Sequence, residues 1–164
     1  MLYVVMLGGK HPKANIEVHD VVFVEGDSLE SCYPQLRELW FGSLPGMHID
    51  SWLAVDGIEG YQLRLEDNPP EAGALKLFLL NYGGYLPGNF GEEHQFVLQL
   101  AHDKAEAKAL GKKRYPPLWD KPHTDAVIDV DDCLAIEQVE GKYLHLVPGA
   151  HAELVQRSDY LVLA

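Results

Sequence analysis

Apolar residues along the chain come in short runs broken by glycine and proline. Leu2 to Leu7 is a β-branched run stopped by Gly8-Gly9, and Lys10 to Asn15 has the polarity and the proline of a loop. Glu17 to Val24, rich in Val and Phe, predicts a second strand. After Gly26 the period changes: Leu29, Cys32, Leu36 and Leu39/Trp40 recur at helical spacing, with Asp27 and Glu30 placed for a capping box. Pro34 removes one helical bond, so the helix within 28–41 is expected to kink or to start late. His48 to Val55 predicts a third strand, Asp56-Gly57 a turn, and the alternating Tyr61 to Leu65 a fourth strand. The order is β-β-α-β-β, with the helix laid across one face of a mixed sheet. That order is similar to the β-grasp roll and by itself fixes no function.

The pattern then returns. His48-Ile-Asp50-Ser-Trp52-Leu-Ala-Val55-Asp56 is echoed by His123-Thr-Asp125-Ala-Val-Ile-Asp129-Val130-Asp131, and 123 − 48, 125 − 50, 130 − 55 and 131 − 56 are all 75. At the same offset Leu2, Gly8, Gly9, Pro12, Glu17, His19 and Val22 meet Leu77, Gly83, Gly84, Pro87, Glu92, His94 and Val97. These eleven identities fall over about 55 paired positions, where composition alone gives about four. After Asp131 the match resumes with Glu140-Gly141 against Glu59-Gly60, an offset of 140 − 59 = 81 and hence an insertion of 81 − 75 = 6 residues. The expected organisation is a first repeat over 1–66, a linker over 67–74, a second repeat over 75–147 and a C-terminal extension over 148–164. The two repeats are expected to pack about a pseudo-two-fold. In the second, Asp103 caps a helix over 104–110 that ends near Gly111; in the extension, a helix is expected over 151–156 and a strand over 160–163.

Composition narrows the possible partners. A chain of 164 residues buries roughly 70% of its unfolded surface when compact, which allows a substantial core. Its net charge of −12 repels phosphate backbones and anionic lipid, so neither nucleic acid nor a membrane is an expected partner. The opening run is too short for a signal core or a span, and Cys32 and Cys133 are isolated and unrelated by the repeat. A reduced, cytoplasmic setting without disulfides is the expectation.

The polar residues shared by the two copies are the candidate site. Each copy keeps one Glu-x-His (Glu17/His19 and Glu92/His94) and one His-x-Asp (His48/Asp50 and His123/Asp125). On a strand, residues two apart share a face, so each pair presents both side chains together. His94 shares its face with Phe96, Leu98 and Leu100, which points it toward a core. Two imidazoles and two carboxylates suit a divalent transition metal such as Zn, Mn or Fe, although no H-E-x-x-H or comparable spacing occurs. The same residues also suit a buried hydrogen-bond cluster that two like-folding units need for structure alone. The glycine pairs are read as turns, because no phosphate-loop pattern follows them. Trp40, Trp52 and Trp119 read as core or interface anchors. Ser51 has Ala126 as its counterpart and neither Cys is echoed, so no nucleophile is evident.

Met6-Leu-Gly-Gly-x-x-Pro12, Glu17-x-His-Asp20, Tyr33-Pro-Gln-Leu-Arg-x-x-Trp-Phe-Gly42 and His48-Ile-Asp-Ser-Trp52 resemble the bacterial DUF1543 family, a domain of unknown function. The resemblance implies one or two copies of a short unit in a bacterial cytoplasmic protein and carries over no activity. The second copy lacks Trp-Phe-Gly and Ser-Trp, so a site built on those aromatics would exist once. The leading expectation is a small-molecule or protein binding module whose clusters are structural. The rival is a metal-dependent enzyme using Glu17, His19, His48 and Asp50, repeated at Glu92, His94, His123 and Asp125.

Overall fold

The computed structural model describes residues 1–85, 88–113 and 129–164, with the backbone alone at Asp129 and Asp131. It is an α+β chain of two compact units, one made of 1–67 and 138–164 and the other of 68–137. His123, Asp125 and Pro87 lie outside the described residues.

The first unit is built on β1 (Leu2–Gly9), β2 (Val18–Glu25), α1 (Tyr33–Leu39), β3 (His48–Val55), β4 (Gly57–Ile58) and β5 (Tyr61–Glu66). Tyr3, Val5 and Leu7 of β1, Val22 and Val24 of β2 and Ile49 of β3 turn one face of the sheet onto Leu29, Cys32, Leu36 and Trp40 of the helical segment. These are the apolar positions that the two periods pick out. Pro34 falls in the first turn of α1, and a 3-10 turn over Glu30–Cys32 precedes it, so the helix does start late. The expected Asp27/Glu30 capping box does not form. Ser28 and Ser31 instead exchange backbone-to-hydroxyl hydrogen bonds of 3.3 Å, which satisfies the free N–H groups at that end.

The second unit holds β6 (Lys76–Gly84), β7 (Glu93–Ala101), α2 (Lys104–Lys113) and β8 (Asp129–Ala135). Its core gathers Phe78, Leu80, Tyr82, Ala101, Ala107, Val130 and Cys133. Asp103 caps α2 as expected, accepting from the Glu106 N–H at 2.8 Å. The helix runs past Gly111, however, because that glycine is an interior packing position. A Cβ there would lie 2.5 Å from Leu80 and 2.7 Å from the Tyr82 hydroxyl.

Residues 138–147, expected in the second repeat, lie instead with the first unit. There β9 (Gln138–Val139) and β10 (Lys142–Pro148) continue the β4–β5 hairpin into one sheet of order β4-β5-β10-β9. The turn of the first hairpin is Glu59-Gly60, not the expected Asp56-Gly57, and the second turns at Glu140-Gly141. All four residues have positive φ (51°, 84°, 53° and 81°), the requirement of a tight I′ hairpin turn. The expected helix over 151–156 is likewise replaced: β11 (Val155–Arg157) and β12 (Leu161–Val162) both pair with β3.

Every strand pairing among the described residues is antiparallel, so the mixed, β-grasp-like sheet is not found. Gly8 lies opposite His48 and His19; Gly83 lies opposite Asp129 and His94. Hence 94 − 19 is 75, but 129 − 48 is 81. The third-strand residue opposite Gly8 is thus His48 and the one opposite Gly83 is Asp129.

Candidate metal centre

Three strands bring the first cluster together at one rung. In an antiparallel sheet directly opposite residues share a face, so His48 of β3 and His19 of β2 rise on either side of Gly8. The face is the one away from α1, since the neighbouring rung, Leu7 and Ile49, belongs to the helix-side core. Gly8 is there for its missing side chain. A Cβ at that position would fall 2.5 Å from His48 Nε2 and 2.6 Å from Asp50 Oδ2. Gly9, a strand residue like Gly8, would place a Cβ 3.0 Å from the Trp40 ring. The glycine pair is therefore a clearance between strands, not the turn its composition predicts.

Asp50 arrives by a bulge. Leu7 pairs with Ile49 and Met6 with Ser51, which leaves Asp50 as the extra residue of β3. Its two oxygens face different imidazoles, Oδ1 at 3.3 Å from His48 Nε2 and Oδ2 at 3.1 Å from His19 Nε2. Glu17, just before β2, places Oε1 3.4 Å from His19 Nε2 and 3.5 Å from His48 Nε2. Glu17, His48 and Asp50 each turn a potential ligand atom into a space where those atoms lie within 4.8 Å of one another.

His48 decides how this cluster is to be read. Its side chain is 1% exposed, and its Nδ1 stands 2.9 Å from the Gly46 carbonyl oxygen. A carbonyl only accepts, so Nδ1 carries the proton and donates it. Nε2 is buried and has no hydrogen-bond partner, and Asp50 Oδ2 is in the same condition. In the neutral ring an Nε2 lone pair would thus face two carboxylates, which is repulsive unless a cation stands between them. A metal-ligating histidine commonly fixes its tautomer by donating the other N–H to a backbone carbonyl, as His48 does.

The C-terminal segment supports that histidine, and nothing local in the sequence signals it. Val162 pairs with His48, and Tyr160 stacks its ring 4.4 Å from the imidazole at 36°. The Gly46 N–H donates to the Ala164 carbonyl at 2.9 Å, Leu163 N–H donates to Met47 O at 2.8 Å, and Arg37 donates to Leu163 O at 2.7 and 3.0 Å. The peptide that sets the His48 tautomer is thus held from behind by residues 163 and 164.

The second cluster differs. His94 Nδ1 is 3.1 Å from Asn81 Oδ1, whose amide donates to Asp132 Oδ2 at 3.1 Å, and Glu92 Oε2 is 3.8 Å from His94 Nε2. The His94 side chain is 42% exposed, so the expectation that it points into the core is corrected: its rung lies near the end of the strand, and only Leu98 and Leu100 farther along are buried. β8 has the same bulge, with Asp131 as the extra residue between Val130 and Asp132. Among the described residues, no helix is long and apolar enough to cross a membrane.

Residues 14–65, which include Glu17, His19, His48 and Asp50, match the family described as Domain of Unknown Function (DUF1543). Residues 14–65 belong to the DUF1543 family. The chain is also similar to the crystal structure of a protein Il1583 from Idiomarina loihiensis, at 33% identity and a TM-score of 0.73, over 99% of this chain and 97% of that one. No curated protein matches it.

Proposed function

We propose that this DUF1543 chain binds a divalent transition metal through Glu17, His19, His48 and Asp50 and acts through that centre, the second of the two functions expected from the sequence. The observation that carries the reading is the buried, unpartnered His48 Nε2 directed at two carboxylates. The spacing supports it. Ligand atoms of Glu17, His48 and Asp50 lie within 4.8 Å of one another, and His19 Nε2 stands 3.1 Å from Asp50 Oδ2 and 3.4 Å from Glu17 Oε1, spacings from which imidazole and carboxylate donors can close on one ion at about 2.0–2.1 Å. The mixed imidazole and carboxylate set favours Zn, Mn or Fe over Ca or Mg.

We also read the two sequence repeats, 1–66 and 75–147, as copies of one β-β-α-β-β design. Support comes from the matching bulges at Asp50 and Asp131, from the matching Glu-Gly turns, and from the β5–β10 register. In that register Arg64 pairs with His145, and 145 − 64 is the same 81 that relates the two hairpins. Equivalent residues face each other there, as they do at an isologous interface.

Elemental analysis of protein purified without a metal-binding tag tests the metal reading. About one equivalent of transition metal, lost with a fall in melting temperature on chelation, is the expected result. A folded, metal-free protein that neither takes up Zn, Mn or Fe nor responds to chelator would make the cluster an ion-paired structural network and return the search to binding partners.

A further inference from the structure

The four donors are unevenly covered. His48 is 1% exposed and Asp50 30%, whereas His19 and Glu17 are 47% and 48% exposed. A cation held by all four has protein behind it on the His48 side and water in front on the Glu17/His19 side. Metals that only brace a fold are closed in by their ligands, and those that do chemistry keep a position open. Here the open side is the one nearest the solvent, and Tyr160, itself 67% exposed, walls the His48 edge of it with an aromatic ring.

Charge indicates what enters. Two carboxylates balance the two charges of the ion, so the loaded centre is close to neutral and does not repel an anion. The connection that leaves Gly9 and returns to Glu17 carries exposed Lys10 and Lys13. Lys10 is two residues from Gly8, the floor of the centre, in a chain whose net charge is −12. Two cations on the connection that joins Gly8 to Glu17 give an otherwise acidic chain a local attraction for a small anion.

The geometry points to an exchangeable ligand site: a small molecule bearing an oxyanion, carboxylate or phosphate, coordinates the metal directly on the exposed Glu17/His19 side, drawn in by Lys10 and Lys13 on the connection between Gly8 and Glu17. This inference rests on the metal reading above and adds the ligand class to it.

Protein comprising residues 1–164 and loaded with Co(II) tests it, because the visible d–d bands of that ion report each change of ligand. Acetate and inorganic phosphate are titrated at constant ionic strength against chloride, with imidazole as a neutral donor, and cobalt retention is measured after each titration. A saturable band shift with acetate, phosphate or both, at unchanged cobalt content, is expected. Whichever responds identifies the source of the oxyanion. The Lys10→Glu/Lys13→Glu double variant should bind cobalt as the parent does and weaken the responding anion about fivefold or more. Spectra that no oxyanion alters beyond chloride, with cobalt fully bound, would make the centre a closed clasp and overturn the proposal. A response to imidazole alone would overturn the ligand class. Failure of cobalt to bind would remove the metal reading itself, and this inference with it.

Discussion

Gly8 contributes no side chain, and the cluster over it depends on that. With a Cβ 2.5 Å from His48 Nε2 and 2.6 Å from Asp50 Oδ2, the Gly8→Ala variant must push both ligands apart while leaving the strand's own hydrogen bonds intact. It is expected to lower metal affinity at least tenfold, as loss of a supporting residue around a metal typically does, with little change in the stability of the metal-free protein. Isothermal titration and apo-protein melts separate the two effects. Tyr160 gives a second test, because its ring lies 4.4 Å from the His48 imidazole. Tyr160→Ala should weaken metal binding about tenfold, and Tyr160→Phe should restore it, because stacking and not the hydroxyl holds the ring. Of the proposed centre, the candidate donors Glu17, His19, His48 and Asp50 were legible in the sequence, because period-2 spacing pairs them before any fold is known. Gly46, Tyr160 and the clearance role of Gly8 were not. Each acts across strands, through a carbonyl, a ring face or a missing atom, and none of these leaves a local pattern.

Elements were legible where a local rule decides them. β1, β2, β3 and the late start of α1 follow from apolar runs and from Pro34. The Glu-Gly echo at 59–60 and 140–141 holds both hairpin turns, although Asp56-Gly57 looked the stronger turn. Gly141 has φ +81° and nothing within 4 Å of its would-be Cβ, so Gly141→Ala tests backbone strain alone. It should cost about 1 kcal/mol, a fall of about 2–4 °C in melting temperature for a chain of this length. The cap of α2 carries a pH dependence. The Glu106 carboxylate accepts from the His102 N–H at 2.7 Å and meets the His102 ring at 2.9 Å, and the backbone bond first and the ring second hold its pKa below the ordinary 4.5. A group with a lowered folded pKa stabilises above its ordinary value, and that contribution is lost as pH falls through the lowered one. Glu106→Gln should therefore melt below the parent at neutral pH and converge with it in acid, which thermal melts at pH 7 and pH 3 would show. In the tail the strand expected over 160–163 forms as β12, and only the helix expected over 151–156 does not, for a different reason. His151 to Gln156 has tolerable helical composition, but β3 offers an unpaired edge, and Val155 to Arg157 complete it.

For the whole molecule, the repeat raises the question of one metal or two. A comparison by sequence alone aligns His48 with His123 and predicts two equal centres, since both copies then supply two histidines and two carboxylates. Strand register gives another answer. The rung through Gly8 carries His48 and His19, but the rung through Gly83 carries Asp129 and His94. Among the described residues, the Gly83 rung therefore carries one imidazole where the Gly8 rung carries two, and imidazole favours transition metals over calcium or magnesium. Val130 and Asp131 are identical to Val55 and Asp56 at offset 75, and at offset 81 they meet Ile49 and Asp50, one conservative exchange and one identity, so the linear comparison leaves both alignments open. Pairing across the sheet, which a linear comparison does not see, chooses between them. Zinc added to metal-free protein should thus bind tightly with a stoichiometry of one. Bound at about 100 times its dissociation constant, it should stabilise the unit that holds it by about 2.7 kcal/mol. Hydrogen exchange locates that stabilisation. Amides of β1, β2 and β3 should slow on zinc addition, and those of β6, β7 and β8 should not. Slowing of both sets with two equivalents bound would put a second centre on the Gly83 rung and make the two copies functionally alike.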